Sequence, residues 1–176
     1  MNYWLNSSLP KPLVIGHRGA KAHYPENTIG AMRLAHAQGA HGVEFDVRLC
    51  KSGEVIVIHD LALDRTTNGT GNVCDLTLDQ IRQFDAGQGE RVPTLAEVFE
   101  ALRDTSTAGL PFLFNVELKS NESQADGGYG ELSLEAAVAA VVRECGMENR
   151  VVYSSFNANA IREILKYAPD VPRGFL

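Results

Sequence analysis

The sequence predicts an α/β chain whose parallel strands alternate with helices, and three observations carry that expectation. Short apolar runs recur along the chain, separated by helix-start signals or by turn-rich stretches. Charged and imidazole side chains stand where the runs stop: His17-Arg18, Glu44-x-Asp46, His59-Asp60 and Glu117-x-Lys119. Alternate residues of a strand face the same side, so Glu44 and Asp46 project together, as do Glu117 and Lys119. A parallel barrel would gather these ends at one rim.

In chain order, the first strand is expected near residues 13–15. Pro25, Asn27 and Thr28 then provide the residue types a helix start prefers, for a helix over 28–38. Strands follow near 43–47 and 55–58. Both would have to end at the same rim, yet 48–54 is too short for a crossover helix. Seven extended residues reach roughly 23 Å, enough for a bare return outside the barrel, so a helix is expected to be missing between strands two and three.

Residues 60–92 are rich in Thr, Asn, Asp and Gly, and Thr77-Leu78-Asp79-Gln80 is a capping box for one short helix. Thr94-Leu95-Ala96-Glu97 caps the next helix, continuing to about residue 103. A strand at 111–117 precedes the polar run SNESQADGGYG, read as a mobile loop beside the Glu117 and Lys119 ends. A helix at 133–145, a strand at 151–154, a helix at 158–167 and an apolar piece at 173–176 complete the pattern.

The rim residues point to a chemistry. Carboxylates held close together raise one another's pKa unless positive charge lies between them. Three oxygen donors without a thiolate favour a hard cation, Mg2+ or Ca2+, over zinc. Two histidines titrate in the range needed to move protons near neutral pH, and two cations suit an anionic substrate such as a phosphate. His23, His36 and His41 lack such company and are read as structural. An exposed strand face is the bland alternative for Glu44 and Asp46, but HGVEFDV is otherwise apolar, and unpaired carboxylates are costly to bury there.

The segments HRGA, PENT, GVEFDVRL, VIVIHD, LDRTTNGTG, VPTLAEVF and NVELKS, in that order, resemble the glycerophosphodiester phosphodiesterase family over about residues 13–176. The resemblance implies a phospholipase-C-like phosphodiesterase barrel that hydrolyses glycerophosphodiesters to glycerol 3-phosphate and an alcohol. It implies Glu44, Asp46 and Glu117 as ligands of one divalent ion, His17 and His59 as acid and base, and Arg18 and Lys119 as phosphate-holding cations. Which histidine acts as base is left open. Glu26 would orient Arg18, against the alternative of an acid favouring its helix dipole. Phe156 would lie close to the pocket, against the alternative of a core aromatic. Residues 60–92 would form the family's small insertion within a single domain spanning 1–176.

Composition agrees with an enzyme domain. The 176 residues are 44% hydrophobic and 22% charged, with a net charge of -6 that argues against a nucleic-acid partner. The expected partner is a small-molecule glycerophosphodiester. Cys50, Cys74 and Cys145 form no paired framework and indicate a reducing compartment. The N-terminus carries no signal-peptide pattern and no apolar run reaches membrane length, so a cytoplasmic location is expected. Tyr3 and Trp4 are assigned to a poorly ordered terminus.

Six strands are found where a barrel of this type has eight and about 250 residues. The expectation is a chain truncated after about six strands, a fragment or a barrel completed by another copy as a homo-oligomer. The alternative to the enzyme is a catalytically impaired module that binds metal and phosphodiester.

Overall fold

Strand β2 (Gly42–Leu49) is the axis of the structure, a computed structural model that describes residues 2–6, 12–120 and 133–176. One edge of β2 pairs in parallel with β6 (Leu113–Leu118), from Gly42 opposite Leu113 to Val47 opposite Leu118. Its other edge is shared. The first half pairs in parallel with β1 (Ile15–His17), and the second half pairs antiparallel with β3 (Val55–Val57). Beyond β6 lie β7 (Val151–Ser155) and β8 (Arg173–Phe175), both parallel, giving a six-stranded sheet among the described residues.

Helices α1 (Ile29–Ala37), α3 (Leu95–Ala101), α4 (Leu134–Glu144) and α5 (Ala158–Tyr167) pack against this sheet, and α2 (Leu78–Ile81) is a single turn. Their starts follow the capping chemistry of the sequence. Thr28, Ser133 and Asn157 each accept a backbone N–H, and both Thr77–Gln80 and Thr94–Glu97 close reciprocal capping boxes.

Period two divides the sheet into two faces. Val43, Phe45, Val47, Phe114, Val116, Leu118, Val151 and Tyr153 enter the main core with Met32, Val98, Phe99, Val138 and Ile164 from the helices. Phe114 stands at its centre, edge-on to Phe45, Phe99 and Phe112, with the guanidinium of Arg150 over its ring. The alternating residues Glu44, Asp46, Asn115, Glu117 and Ser154 therefore occupy the opposite face. A second, smaller core of Cys50, Ile56, Ile58, Leu63, Val73, Ile81, Ala86 and Val92 holds the 60–92 segment against the outer part of β2 and β3.

Several expectations are corrected here. No helix separates β2 from β3, but β3 does not run parallel after a return outside a barrel. It folds straight back on β2 through a turn in which Gly53 N donates to Cys50 O and Gly53 takes φ +94°. The physical reason is length: β2 extends to Leu49, beyond the level of Asp46, and a direct turn returns the chain to that level with its backbone bonds satisfied, where Ile58 N meets Asp46 O at 3.0 Å. Residues 93 and 94 cover the free edge of β3.

The first strand lies two residues later than expected and includes His17. Pro111 belongs to a small hairpin of β4 (Ser106–Thr107) and β5 (Leu110–Pro111) that precedes β6 and has no clear period-two signal. Residues 2–6 are docked rather than loose. Asn2 bonds the carbonyls of Glu148 and Val151, Trp4 Nε1 bonds Arg150 O at 2.8 Å, and Tyr3–Leu5 form a 3-10 turn. The polar loop expected at 120–130 lies, beyond Ser120, outside the described residues. Among these residues the strands form an open six-stranded sheet rather than a closed eight-stranded barrel.

Gly42 permits the close approach of β2 to β6, since a methyl group there would lie 2.4 Å from the carbonyl oxygen of Leu113. Gly42→Ala should therefore destabilise the protein by about 1–3 kcal/mol, as overpacked sites do. Urea unfolding would show this as a lower midpoint, and an unchanged midpoint would contradict the packing described.

Candidate active site

The register of β2 on β6 sets Asp46 directly beside Glu117, with Glu44 two residues before Asp46 on the same face. All three carboxyl groups are buried, and each offers an oxygen within 4.8 Å of the others. Burial first and the charge of Asp46 second push the Glu44 carboxyl up to about 8. These are the three acids singled out from sequence, and the fold brings them together.

The side chains around them offset this concentration of negative charge. Asn27 Nδ2 donates to Asp46 Oδ2 at 2.9 Å, and the Asp46 backbone N–H returns a bond to Asn27 Oδ1. Arg18 Nε lies 3.3 Å from Asp46 Oδ2, and Lys119 Nζ bridges Asp46 Oδ1, 3.1 Å away, and Glu117 Oε1. Arg18 and Asn27 both take the left-handed conformation, φ 55° and 61°, and hold each other there through Asn27 N to Arg18 O. Backbone strain of this kind is sustained where surrounding contacts over-determine it.

Compensation by the protein alone is incomplete. Glu44 Oε1 is buried without a hydrogen-bond partner among the described residues, and Arg18 Nε and Asp46 Oδ1 are held there by ion pairs alone, at 3.3 and 3.1 Å. A buried polar atom left this way is costly, and its place among three carboxyls fits a site completed by a ligand. A divalent cation suits the donor set, because the oxygens are hard, anionic and mutually repelling.

The two histidines reach this point along one edge of β2. His17 ends β1 opposite Glu44, and His59 follows β3, which runs toward it from the other direction. His17 is 54% exposed at its side chain, with Nε2 3.5 Å from Glu44 Oε2 and Nδ1 2.9 Å from Lys21 Nζ. Partial burial and then the charges of Lys21 and Arg18 lower its pKa. His59 Nδ1 lies 2.6 Å from Asp60 Oδ1. Beneath it, Arg48 donates to the carbonyls of both His59 and Lys119, tying the two rim segments together.

Glu26 accepts a bond from Arg18 at 2.9 Å, as expected, and a second pair from Arg65. These bonds, Arg65 first, hold the Glu26 carboxyl down at about 2. Phe156 is not a core residue. It is 69% exposed, and its ring centre lies 5.9 Å from Lys119 Nζ. Among the other histidines, His36 and His41 make the structural contacts expected of them, to Ser106 O and Val14 N.

Sequence reading gave no site role to Lys21, Arg48 or Arg65, placed Asn27 only at a helix start and noted Asp60 only as the neighbour of His59. Asn27 carried a signal, since Asn tolerates the left-handed conformation before a helix cap. Arg48 extends the Glu44, Asp46 alternation by one step.

Residues 17–176 match the sequence model of the Glycerophosphoryl diester phosphodiesterase family. A glycerophosphodiester phosphodiesterase of Caldanaerobacter subterraneus subsp. tengcongensis is 43% identical over 173 residues, covering 94% of this chain and 67% of that protein. One from Bacillus altitudinis is 34% identical, covering 90% and 63%. The crystal structure of a glycerophosphodiester phosphodiesterase from Agrobacterium tumefaciens superposes with a TM-score of 0.77 at 36% identity, covering 92% of this chain and 65% of that one. An Oleispira antarctica phosphodiesterase in complex with the product sn-glycerol-3-phosphate superposes with a TM-score of 0.80 at 33% identity, covering 93% and 65%. The chain thus spans about two thirds of the length of these relatives.

The raised Glu44 pKa sets a pH dependence. Between the ordinary value of 4.5 and about 8, the folded protein holds a proton at Glu44 that the unfolded chain has released. The contribution of this group to stability therefore falls as pH rises through that window and is fully lost above it. Thermal unfolding in chelator from pH 5 to 8.5 should show this fall, Glu44→Gln should flatten it, and added Mg2+ or Ca2+ should raise the melting temperature more at pH 8 than at pH 6. An identical pH slope in Glu44→Gln would remove the assignment.

Proposed function

We propose, because this chain belongs to the glycerophosphoryl diester phosphodiesterase family, that it hydrolyses glycerophosphodiesters to glycerol 3-phosphate and an alcohol with the help of one divalent ion. One observation carries the reading: three buried carboxyls within 4.8 Å of one another stand beside His17, Arg18 and Lys119, with His59 one residue past the Ile58 N–H that meets Asp46 O. The finer architecture follows the same reading, with the mostly parallel sheet and its helices forming part of a (β/α)8 barrel whose 60–92 segment is an insertion in one domain. No helix among the described residues is long and apolar enough to cross a membrane. That agrees with a small-molecule substrate met in solution, and a cytoplasmic location is part of this proposal.

Glu44, Asp46 and Glu117 would hold the ion, Mg2+ or Ca2+. When bound, it would supply positive charge against the non-bridging oxygens of the phosphodiester. Arg18 and Lys119 each already meet two carboxyl groups, and their remaining N–H protons would bond phosphate oxygens as charge develops. Glu26 keeps the Arg18 guanidinium in place. Phe156 would border the pocket over Lys119.

Hydrolysis needs one proton taken from the attacking oxygen and one given to the leaving alcohol. His17 and His59 are the two groups that move them. Their settings differ in the way such a pair requires. His17 has Lys21 and Arg18 for neighbours, whereas the ionised Asp60 accepts the Nδ1 proton of His59 and leaves Nε2 for proton transfer.

The test is release of choline and glycerol 3-phosphate from glycerophosphocholine by purified protein with Mg2+ or Ca2+. Glu44→Ala should lose the metal-dependent activity while keeping its fold. His17→Ala and His59→Ala should each lower kcat by about 10²–10⁴-fold, with metal affinity little changed. Metal binding without product release from any glycerophosphodiester would instead make this chain a phosphodiester-binding module.

A further inference from the structure

Arg65 lies in the 60–92 segment, away from every strand end, yet it meets two side chains of the site. Its Nε and one terminal nitrogen lie 2.6 and 3.1 Å from the two oxygens of Asp60. Its terminal nitrogens also lie 2.7 and 3.1 Å from the two oxygens of Glu26. Each carboxylate is thus gripped at both oxygens. Each also has a second partner, since Asp60 Oδ1 accepts from His59 Nδ1 at 2.6 Å and Glu26 Oε1 accepts from Arg18 at 2.9 Å. An unbroken chain of contacts therefore runs from His59 through Asp60, Arg65 and Glu26 to Arg18.

Only a guanidinium can occupy the middle of that chain. Five N–H donors in one plane serve two carboxylates from adjoining edges, whereas an ammonium has three donors on a single atom. The bonds from Arg65 are the first cause holding both Glu26 and Asp60 below the usual carboxylate range, so both stay anionic around neutral pH.

The base of Arg65 is held as well as its tip. Leu63 is fully buried in the second core, and its carbonyl accepts both the N–H and the hydroxyl of Thr67. The Arg65 side chain itself is 49% exposed, and exposed ion pairs add little to stability. Its double grip is therefore explained better by orientation of the groups it meets than by stabilisation of the fold.

We propose that Arg65 is a positioning residue of this site, setting the His59 ring through Asp60 and the Arg18 guanidinium through Glu26, and so coupling the 60–92 segment to catalysis. The proposal rests on the phosphodiesterase reading for its kinetic part and on geometry alone for its His59 part.

The experiment compares wild type with Arg65→Ala, Arg65→Lys, Asp60→Asn and the Arg65→Ala, Asp60→Asn double variant. Each is read by glycerophosphocholine kinetics and by nitrogen-15 NMR of the histidine rings, with His59 assigned by its loss in His59→Gln. Arg65→Ala should lower kcat about 10- to 100-fold, the range seen when a partner that orients a site group is removed, with KM little changed. Arg65→Lys should stay impaired, and the double variant should lose less than the product of the two single losses, its remaining deficit relative to Asp60→Asn coming from the Glu26–Arg18 branch. In wild type the His59 ring should carry its proton on Nδ1, and Arg65→Ala should shift the population toward the Nε2–H tautomer. An unaltered His59 ring in Arg65→Ala overturns the proposal, even if kcat falls. A raised KM with unchanged kcat also overturns it, as the sign of direct substrate contact. Should wild type hydrolyse no glycerophosphodiester, the phosphodiesterase reading fails while the ring tautomer still decides the positioning claim.

Discussion

Three carboxyl groups buried on one face of a sheet repel one another, and that repulsion is the constraint around which the rest of the structure is arranged. The main core contributes nothing to relieving it, because its apolar side chains face the other way. Relief comes from loops and strand ends: Asn27 and Arg18 on one side of Asp46, Lys119 on the other. Two residues in left-handed backbone conformations are sustained to place those donors. Even so, Glu44 Oε1 remains without a hydrogen-bond partner among the described residues, so the cluster of buried carboxyls has an energetic reason to take up a cation.

The topology serves this arrangement through one departure from regular alternation. β2 runs beyond the level of its carboxylates, and β3 turns back beside it. β1 and β3 thereby share an edge of β2 and approach from opposite directions, so His17 and His59 converge on one stretch of a single strand. Arg48, in the overshooting part, bonds the carbonyls of His59 and Lys119 and joins both flanks of the site.

Two cores divide the labour. The larger one, centred on Phe114, fixes the relation of β2 to β6 and hence of Asp46 to Glu117. The smaller one anchors the 60–92 segment, from which Arg65 reaches Asp60 and Glu26. The precision of the site depends on both, since the acids are set by sheet register and His59 and Arg18 are held by a loop packed on a separate apolar cluster.

The sequence by itself determined what depends on short-range geometry. Period-two facing put Glu44 and Asp46 on one side of a strand, and capping chemistry located the starts of helices such as those after Thr28, Thr77 and Thr94. Motif order was enough to name Glu44, Asp46 and Glu117, whose oxygens the sheet register brings within 4.8 Å of one another. Tertiary structure alone decided the direction of β3, the docking of Trp4, the hairpin before β6 and the exposure of Phe156. It also decided the partners of Arg48 and Arg65, whose side chains bond groups far from them in sequence, Lys119 and Glu26 among them. The reason is that strand direction and ion pairing are settled by which distant segments meet, and a one-dimensional pattern records which way a residue faces but not what faces it.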